Sequence, residues 1–182
     1  MTRFEFNSVF VAILLAFAVS EILVSWGRLI RHRGEVRPSG LYLGFSVLLL
    51  LFLVLHWQGF WAYRTVPFDH GLQSIVILLP PLVIALIAFI LTPDITRGDQ
   101  FDLEAYYFEV SRWVFPLMGL TWVLASVSDM VLDIADTEHP VFYLVSAVIT
   151  GSLGFTQERR VHATVLGLLW LVALGFLFFG AT

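Results

Sequence analysis

One acidic residue, Glu21, stands inside a long apolar stretch near the amino terminus. A charge at the centre of a bilayer costs about 2.5–3.5 kcal/mol, so acids at such depth normally face a protein interior or water. Ser25 and Arg28 follow at i+4 and i+7 and therefore share one helical face with Glu21. The pattern is typical either of a structural acid bonded to another helix or of an acid that exchanges protons with a polar cavity on the inner side.

A second group of polar side chains precedes the fourth apolar block. Glu109 and Arg112 lie three positions apart there, a spacing that predicts a local ion pair of little energetic value on a helix surface. The alternative is a cytosolic vestibule that these two residues share with Arg28. The hydroxyls of Tyr106 and Tyr107 would then contribute to it.

Three aspartates, Asp129, Asp133 and Asp136, recur at i, i+4 and i+7 near the outer end of the same block. Carboxylates on one helical face can bind a hard cation such as calcium or attract cations to a pore mouth. The same run is also typical of a solvated helix end. A metal site and a solvated acidic face are therefore the two alternatives for this segment.

Two adjacent prolines, Pro80 and Pro81, fall in the middle of the third apolar block. Each lacks a backbone N–H donor, so we expect the pair to kink or break the helix there. Broken membrane helices form binding sites in some transporters, where freed carbonyls can face a substrate. A kink with a purely structural role is the alternative.

The residue types that are missing exclude several cofactors. The chain has no Cys and no Lys, which excludes thiolate metal sites, iron–sulfur clusters and the Schiff bases of retinal or pyridoxal phosphate. His56 and His162 map to opposite membrane sides, so they do not form the facing pair that a b-type haem needs. We therefore expect no cofactor. The formal net charge of −4 gives no reason to expect nucleic-acid binding.

The elements that must position these residues are membrane-spanning helices. Hydrophobic residues make up 59% of the 182-residue chain and charged residues 13%, against about 45–50% and about 25% in soluble domains. About 20 apolar residues cross a hydrocarbon core of about 30 Å. We predict an all-α, single-domain bundle of six transmembrane helices over residues 1–182. The predicted spans are 9–29, 41–61, 72–91, 113–132, 141–155 (a short one) and 161–179, with 99–112 lying along the cytoplasmic surface.

The placement of arginine predicts the orientation of the bundle, because positive side chains concentrate on the cytoplasmic side. With six spans, eight of the ten arginines share one side and only Arg3 and Arg64 lie on the other. Without the fifth crossing, the division would fall to six against four. The map therefore places the N-terminus and the C-terminus outside, in the periplasm or exterior of a bacterium.

Two stretches, EILVSWGRLIRHR at 21–33 and YYFEVSRWVF at 106–115, resemble segments of uncharacterised six-span bacterial inner-membrane proteins of about this length. The resemblance covers most of the chain and implies a multi-pass protein of the bacterial inner (plasma) membrane. It implies no chemistry, since no established activity accompanies it. Both stretches map to the inner interface, which is therefore where we first expect a shared site.

Two function classes are nearly equal on these observations. A small channel or transporter for protons, cations or a small solute is favoured by Glu21 and the proline pair, because a membrane acid has a cost that a scaffold need not incur. A non-catalytic scaffold or accessory subunit of a membrane complex is the alternative, favoured by short loops and few polar residues inside the membrane. An intramembrane enzyme is disfavoured, because no nucleophile–base pair or metal set is evident.

Small residues also occur at the spacing of close helix contacts. Ala147 and Gly151 are four positions apart in the fifth block, as are Ala163 and Gly167 in the sixth. Such pairs allow helices to approach closely, within one chain or between copies. Beside the lipid bilayer, the expected partners are therefore further copies of this chain in a homo-oligomer, or a larger membrane complex.

Overall fold

The computed structural model describes residues 2–95, 100–134 and 139–179, and these form a bundle of α-helices. The helices are α1 (Arg3–Arg31), α2 (Gly40–Phe60), α3 (Gly71–Leu91), α4 (Leu103–Val131), α5 (His139–Ser152) and α6 (Arg159–Phe179). Short 3-10 turns follow α2 at Trp61–Thr65 and α5 at Leu153–Phe155. The two-residue strands β1 (Val36–Arg37) and β2 (Phe101–Asp102) pair in parallel between two connecting segments.

Five of these helices are long and apolar enough to cross a membrane, namely α1, α2, α3, α4 and α6. The shorter α5, taken with the 3-10 turn after it, is apolar over Pro140–Phe155. The predicted all-helical fold is therefore confirmed, with five helices whose length and composition suit a membrane. The sixth crossing and the orientation of the termini stay predictions.

Helix α1 begins at Arg3, before the predicted start of the first span at residue 9. Thr2 caps it: its hydroxyl accepts a hydrogen bond from the Glu5 N–H at 3.1 Å, and the Glu5 carboxylate accepts one from the Thr2 N–H at 2.8 Å. This reciprocal capping box satisfies two amide groups that lack partners inside the helix. The helix therefore starts in polar residues, which a search for apolar runs does not count.

The proline pair does not break α3, because the helix continues through Pro80 and Pro81. The alternative of a kink stays a prediction. Pro80 has no N–H to give to the carbonyl of Val76, four residues earlier. The hydroxyl of Ser128 on α4 lies 3.1 Å from that carbonyl and donates to it. Neighbouring helices often satisfy the backbone groups that a membrane proline frees, and this contact replaces the hydrogen bond that Pro80 removes.

The predicted surface segment before the fourth span is also corrected by the structure. Leu103–Val131 is one helix of 29 residues, so residues 103–112 form its first turns instead of lying separately along the membrane surface. Asp102 caps this helix, since its Oδ1 accepts from the N–H groups of Glu104 at 2.9 Å and Ala105 at 3.1 Å. Tyr107 is buried against the bundle and holds this part of the helix there.

Hydrogen bonds between α1 and α3 show that these helices run in parallel. Asn7 donates to Ser74 at 3.1 Å near the start of both helices, and Arg28 pairs with Asp94 at 3.2 Å near their ends. We call the first of these two ends of the bundle the outer end and the second the inner end, after the predicted orientation. Helix α3 lies between α1 and α4, and its side chains at Ile84 and Ile87 are fully buried.

Helix α5 packs against α4 in the opposite direction. At the outer end Tyr143 contacts Asp129, and further inward Gly154 lies against Pro116. Helix α6 then starts beside the first turn of α4, where Arg159 pairs with Glu104 at 3.2 Å. The chain between residues 139 and 158 therefore leads from one end of α4 towards the other.

Candidate functional site

A buried carboxylate, Asp129, lies at the outer end of α4 and is only 6% exposed. The hydroxyl of Tyr63 donates to its Oδ1 at 2.6 Å, and the hydroxyl of Tyr143 donates to its Oδ2 at 2.8 Å. Tyr63 comes from the 3-10 turn after α2, and Tyr143 comes from α5. Three elements therefore meet at this one side chain, and each carboxylate oxygen has its own donor.

Beyond these two donors, the Asp129 carboxylate has no further hydrogen-bond or ionic partner among the described residues. The residue also lies in the last turn of α4, which ends at Val131, where the helix dipole is negative. Since burial also disfavours a charged carboxylate, the two phenols supply the compensating interactions.

Two unpaired polar atoms lie near this cluster. Nε2 of His56 and Nε1 of Trp122 are buried and make no hydrogen bond among the described residues. The ring of Phe52 lies between them, with centroids 6.3 Å from His56 and 5.2 Å from Trp122. The ring of Trp122 in turn lies 6.0 Å from that of Tyr143. A buried polar atom without a partner typically costs about 1–3 kcal/mol, so the described residues leave two costly polar atoms close to Asp129 and its tyrosines.

The predicted row of three aspartates does not form one helical face. Helix α4 ends at Val131, and Asp133 lies beyond it, exposed and with a φ of 54°. Asp129 is instead turned into the bundle, and Asp136 lies outside the described residues. No group of three or more His, Asp or Glu in the described part is placed to hold a metal ion. The i, i+4 spacing fails here because the helix stops before its second member.

Glu21, Ser25 and Arg28 lie on α1 as predicted but do not converge on one site. Ser25 is hydrogen-bonded to the Tyr42 hydroxyl at 3.0 Å, and Arg28 pairs with Asp94. Glu21 is half-buried, and no hydrogen bond or ion pair to it is found within the described residues. The bond to a neighbouring helix that a structural role requires is therefore not formed there.

The depth of Glu21 also separates it from the proline pair. Asn7 bonds to Ser74 on α3, 67 positions later, and Arg28 bonds to Asp94 just past the end of α3, 66 positions later. This offset places Glu21 level with Ile87. Pro81 is six positions earlier than Ile87, or about 9 Å by helical rise. The two features that favoured transport in the sequence thus belong to different depths of the bundle.

The expected inner vestibule is not assembled either. Glu109 and Arg112 are both exposed, and they form no ion pair with each other. The Arg112 guanidinium lies over the ring of Trp113 instead, 5.8 Å from its centroid. This contact competes for the guanidinium, since an arginine over an indole face gains cation–π attraction.

Tyr107 has a structural role that the sequence did not indicate. It is 1% exposed, and its hydroxyl lies 2.9 Å from Nδ1 of His162, which is fully buried. Nε2 of His162 lies 3.0 Å from the carbonyl of Thr156. A neutral imidazole that donates from Nε2 to this carbonyl accepts at Nδ1 from the tyrosine. Both ring nitrogens are therefore used, and the pair ties the start of α6 to α4.

The residues at the outer cluster that sequence reasoning missed are Tyr63, Tyr143 and Trp122. Only Asp129 carried a signal, as a member of the row of three aspartates, whereas tyrosines near helix ends are typical of interface anchors. Searches of protein-family models, curated proteins and solved structures find no match to this chain. The case for a function therefore rests on the geometry alone.

Proposed function

We propose that this chain is a six-span protein of the bacterial inner membrane that moves protons or small cations, and that Asp129 is the acid that binds them. The observation that carries the proposal is the burial of Asp129 with two tyrosine donors and no cationic partner in the described part. Transport of a small solute coupled to these ions falls within the same proposal.

The path of α5 supports six crossings. Its first turns contact the outer end of α4 at Asp129, and Gly154 lies beside Pro116. Residues 116 and 129 are about 20 Å apart by helical rise, most of a hydrocarbon core of about 30 Å. The division of eight arginines against two favours the same map, with both termini outside.

The chemistry of the cluster suits an acid that gains and loses a proton. A tyrosine hydroxyl donates to a carboxylate, and after the carboxyl is protonated the same hydroxyl can rotate and accept. Tyr63 and Tyr143 therefore give Asp129 a partner in either state. His56 adds a buried Nε2 that has no hydrogen-bond partner among the described residues and can bond to a passing proton carrier such as water.

Glu21 adds a second acid in the inner half of the bundle. It is half-buried and unpaired within the described residues, and it lies on α1, away from the outer cluster. Intramembrane acids at different depths occur in proton relays. We place Glu21 on the inner side of the proposed route.

Proton flux into liposomes tests this proposal. The purified wild-type protein is reconstituted with a pH-sensitive dye inside, and a pH gradient is applied. Asp129→Asn preserves the shape of the side chain but removes its titration, so it should abolish the flux. Asp133→Asn is the matched control, because Asp133 is an exposed acid just beyond the same helix. Equal flux through wild type and Asp129→Asn would exclude the assigned role.

An accessory or scaffold role is the second candidate, and the exposure of α6 favours it. Only 11% of the apolar stretch of α6 is buried inside the chain. Ala163 and Gly167 are exposed on it, whereas Ala147 and Gly151 pack within the chain near Gly119. A homo-oligomer or a larger complex would cover this face. Absence of flux, with a stable complex purified from native membranes, would favour this role over transport.

A further inference from the structure

A cavity of about 470 Å³ opens at the outer end of the bundle, beside the start of α1. Arg3 and Phe4 line it from α1, and Arg64, Phe68 and Asp69 line it from the segment that joins α2 to α3. The two arginines that the sequence map assigns to the outer side thus lie on the same cavity. With one aspartate against two arginines, the charged lining is net positive.

Among the described residues, each of the two guanidiniums makes one hydrogen bond. Arg3 donates from one terminal nitrogen to the carbonyl of Phe68 at 2.6 Å, and Arg64 donates to the carbonyl of Trp61 at 3.1 Å. An arginine carries five N–H donors, so each retains donors for a ligand. The ion pairs found among the described residues lie elsewhere, and none of them involves Arg3, Arg64 or Asp69.

The cavity lies at the depth of a membrane interface. Trp61 is 59% exposed, and its ring lies 5.8 Å below the Arg64 guanidinium. Exposed tryptophan rings favour the headgroup level of a bilayer. A cluster of arginines at that level meets the phosphate groups of lipids.

An apolar surface continues from this cavity along α1. A second cavity of about 360 Å³ shares Thr2 and Arg3 with the first and is also lined by Phe6. Phe6, Phe10 and Phe17 are large exposed side chains on the same helix. Their spacing of four and seven residues places them on one face of α1. This face runs from the arginines towards the middle of the bundle.

We propose that the outer cavity binds the phosphate group of an anionic phospholipid, held by Arg3 and Arg64, with an acyl chain on the Phe6–Phe10–Phe17 face of α1. A planar guanidinium matches two phosphate oxygens at once. The net positive lining favours an anionic headgroup over a zwitterionic one, because the ammonium group of a zwitterionic lipid offsets its phosphate charge. The adjoining apolar face distinguishes a lipid from free phosphate, because inorganic phosphate gains nothing from it. This binding is independent of the proposed transport.

Native mass spectrometry of the protein in detergent, titrated with phosphatidylglycerol, tests the proposal. The wild type should retain one phosphatidylglycerol more tightly than phosphatidylethanolamine. Each of Arg3→Gln and Arg64→Gln should weaken that binding about fivefold, the effect of one arginine near an anionic surface. Arg160→Gln is the matched control, an exposed arginine at the inner end, and should leave the binding unchanged.

Lysine variants and competition by inorganic phosphate test the two parts of this assignment separately. Arg3→Lys and Arg64→Lys retain the charge but lose the planar fork, so they should bind with intermediate affinity and show that the fold is intact. Equal retention of phosphatidylglycerol by wild type and both Gln variants would overturn the site. Competition by millimolar inorganic phosphate, with no preference for the lipid, would overturn the lipid as the ligand.

Discussion

The hydroxyl of Ser128 on α4 donates a hydrogen bond of 3.1 Å to the carbonyl of Val76, the group that Pro80 deprives of its helical N–H. The same hydroxyl lies 2.8 Å from the carbonyl of Leu124 on its own helix, so one proton serves two acceptors in turn. The contact is buried and joins the two central helices where α3 would otherwise be weakest. It satisfies the carbonyl that the first proline of the pair leaves without its helical donor.

Removing the Ser128 hydroxyl should therefore destabilise the protein much more when Pro80 is present than when it is replaced. We expect Ser128→Ala to lower the free energy of unfolding by about 1–2 kcal/mol, because it leaves the Val76 carbonyl buried and unpaired. Pro80→Ala restores the N–H, so Ser128→Ala in that background should cost much less. Unfolding in mixed micelles of all four proteins measures this coupling.

Ser111→Ala is the control for the loss of a buried hydroxyl. Ser111 is buried on the same helix, but its hydroxyl donates only to the carbonyl of Phe108 within α4. We expect a small effect that is independent of Pro80. If the Ser128 and Pro80 substitutions are simply additive, the compensation does not operate.

The sequence predicts the helices better than it predicts where they end, because the two depend on different physical properties. Apolar runs locate helices because a membrane helix must be apolar along its length, and the helices found here overlap each predicted span. Their ends depend on single polar contacts such as the Thr2 cap and the Asp102 cap. The continuity of α3 depends on Ser128, which is 52 positions away from its partner.

The candidate site was harder to predict, because its residues contact partners that are distant in the sequence. Residues that share a helical face can have partners on different elements, as Ser25 and Arg28 do with Tyr42 and Asp94. The sequence placed Asp129 in a row of aspartates at a helix end and gave no sign that its side chain is buried. Its partner Tyr63 is 66 positions away and joins it only through the packing of the 3-10 turn against α4.

Replacing Glu21 by leucine separates a structural acid from a functional one. Because Glu21 makes no hydrogen bond or ion pair within the described residues, Glu21→Leu should leave the unfolding free energy unchanged or raise it. The pH-driven flux should fall in the same variant and in Glu21→Gln. A loss of more than about 1 kcal/mol in stability would instead indicate a structural partner.

A close helix contact predicts which glycine cannot be replaced. A Cβ added to Gly119 on α4 would lie 2.9 Å from the Ala147 carbonyl oxygen and 3.1 Å from the Gly151 Cα, both backbone atoms of α5. Gly119→Ala should therefore separate the two helices and lower stability by about 1–3 kcal/mol. Gly151→Ala is the control, because its Cβ would meet Gly119 at an ordinary 3.8 Å. Comparable thermal midpoints for the two variants would count against this tight packing.

Asp102 predicts a pH dependence of stability at the inner end. The N–H of Ala105, followed by that of Glu104 and by Arg37, holds the pKa of the Asp102 carboxyl below its ordinary value. A lowered folded-state pKa stabilises the fold above the unfolded value of about 3.9, and the effect is lost as the pH falls through the folded value. Asp102→Asn keeps a capping oxygen but cannot titrate, so its thermal midpoint should fall less than that of wild type below about pH 4. Parallel curves for the two proteins would show that Asp102 contributes nothing.

The six-span map can be tested directly, because the chain has no Cys and any introduced thiol is unique. Asp69, Gln100 and Gln157 are exposed in the segments after α2, before α4 and before α6. With six crossings, a membrane-impermeant maleimide should label Asp69→Cys in cells with an opened outer membrane. Gln100→Cys and Gln157→Cys should react only after the inner membrane is permeabilised. Labelling of Gln157→Cys together with Asp69→Cys, while Gln100→Cys stays protected, would mean that α5 returns without crossing.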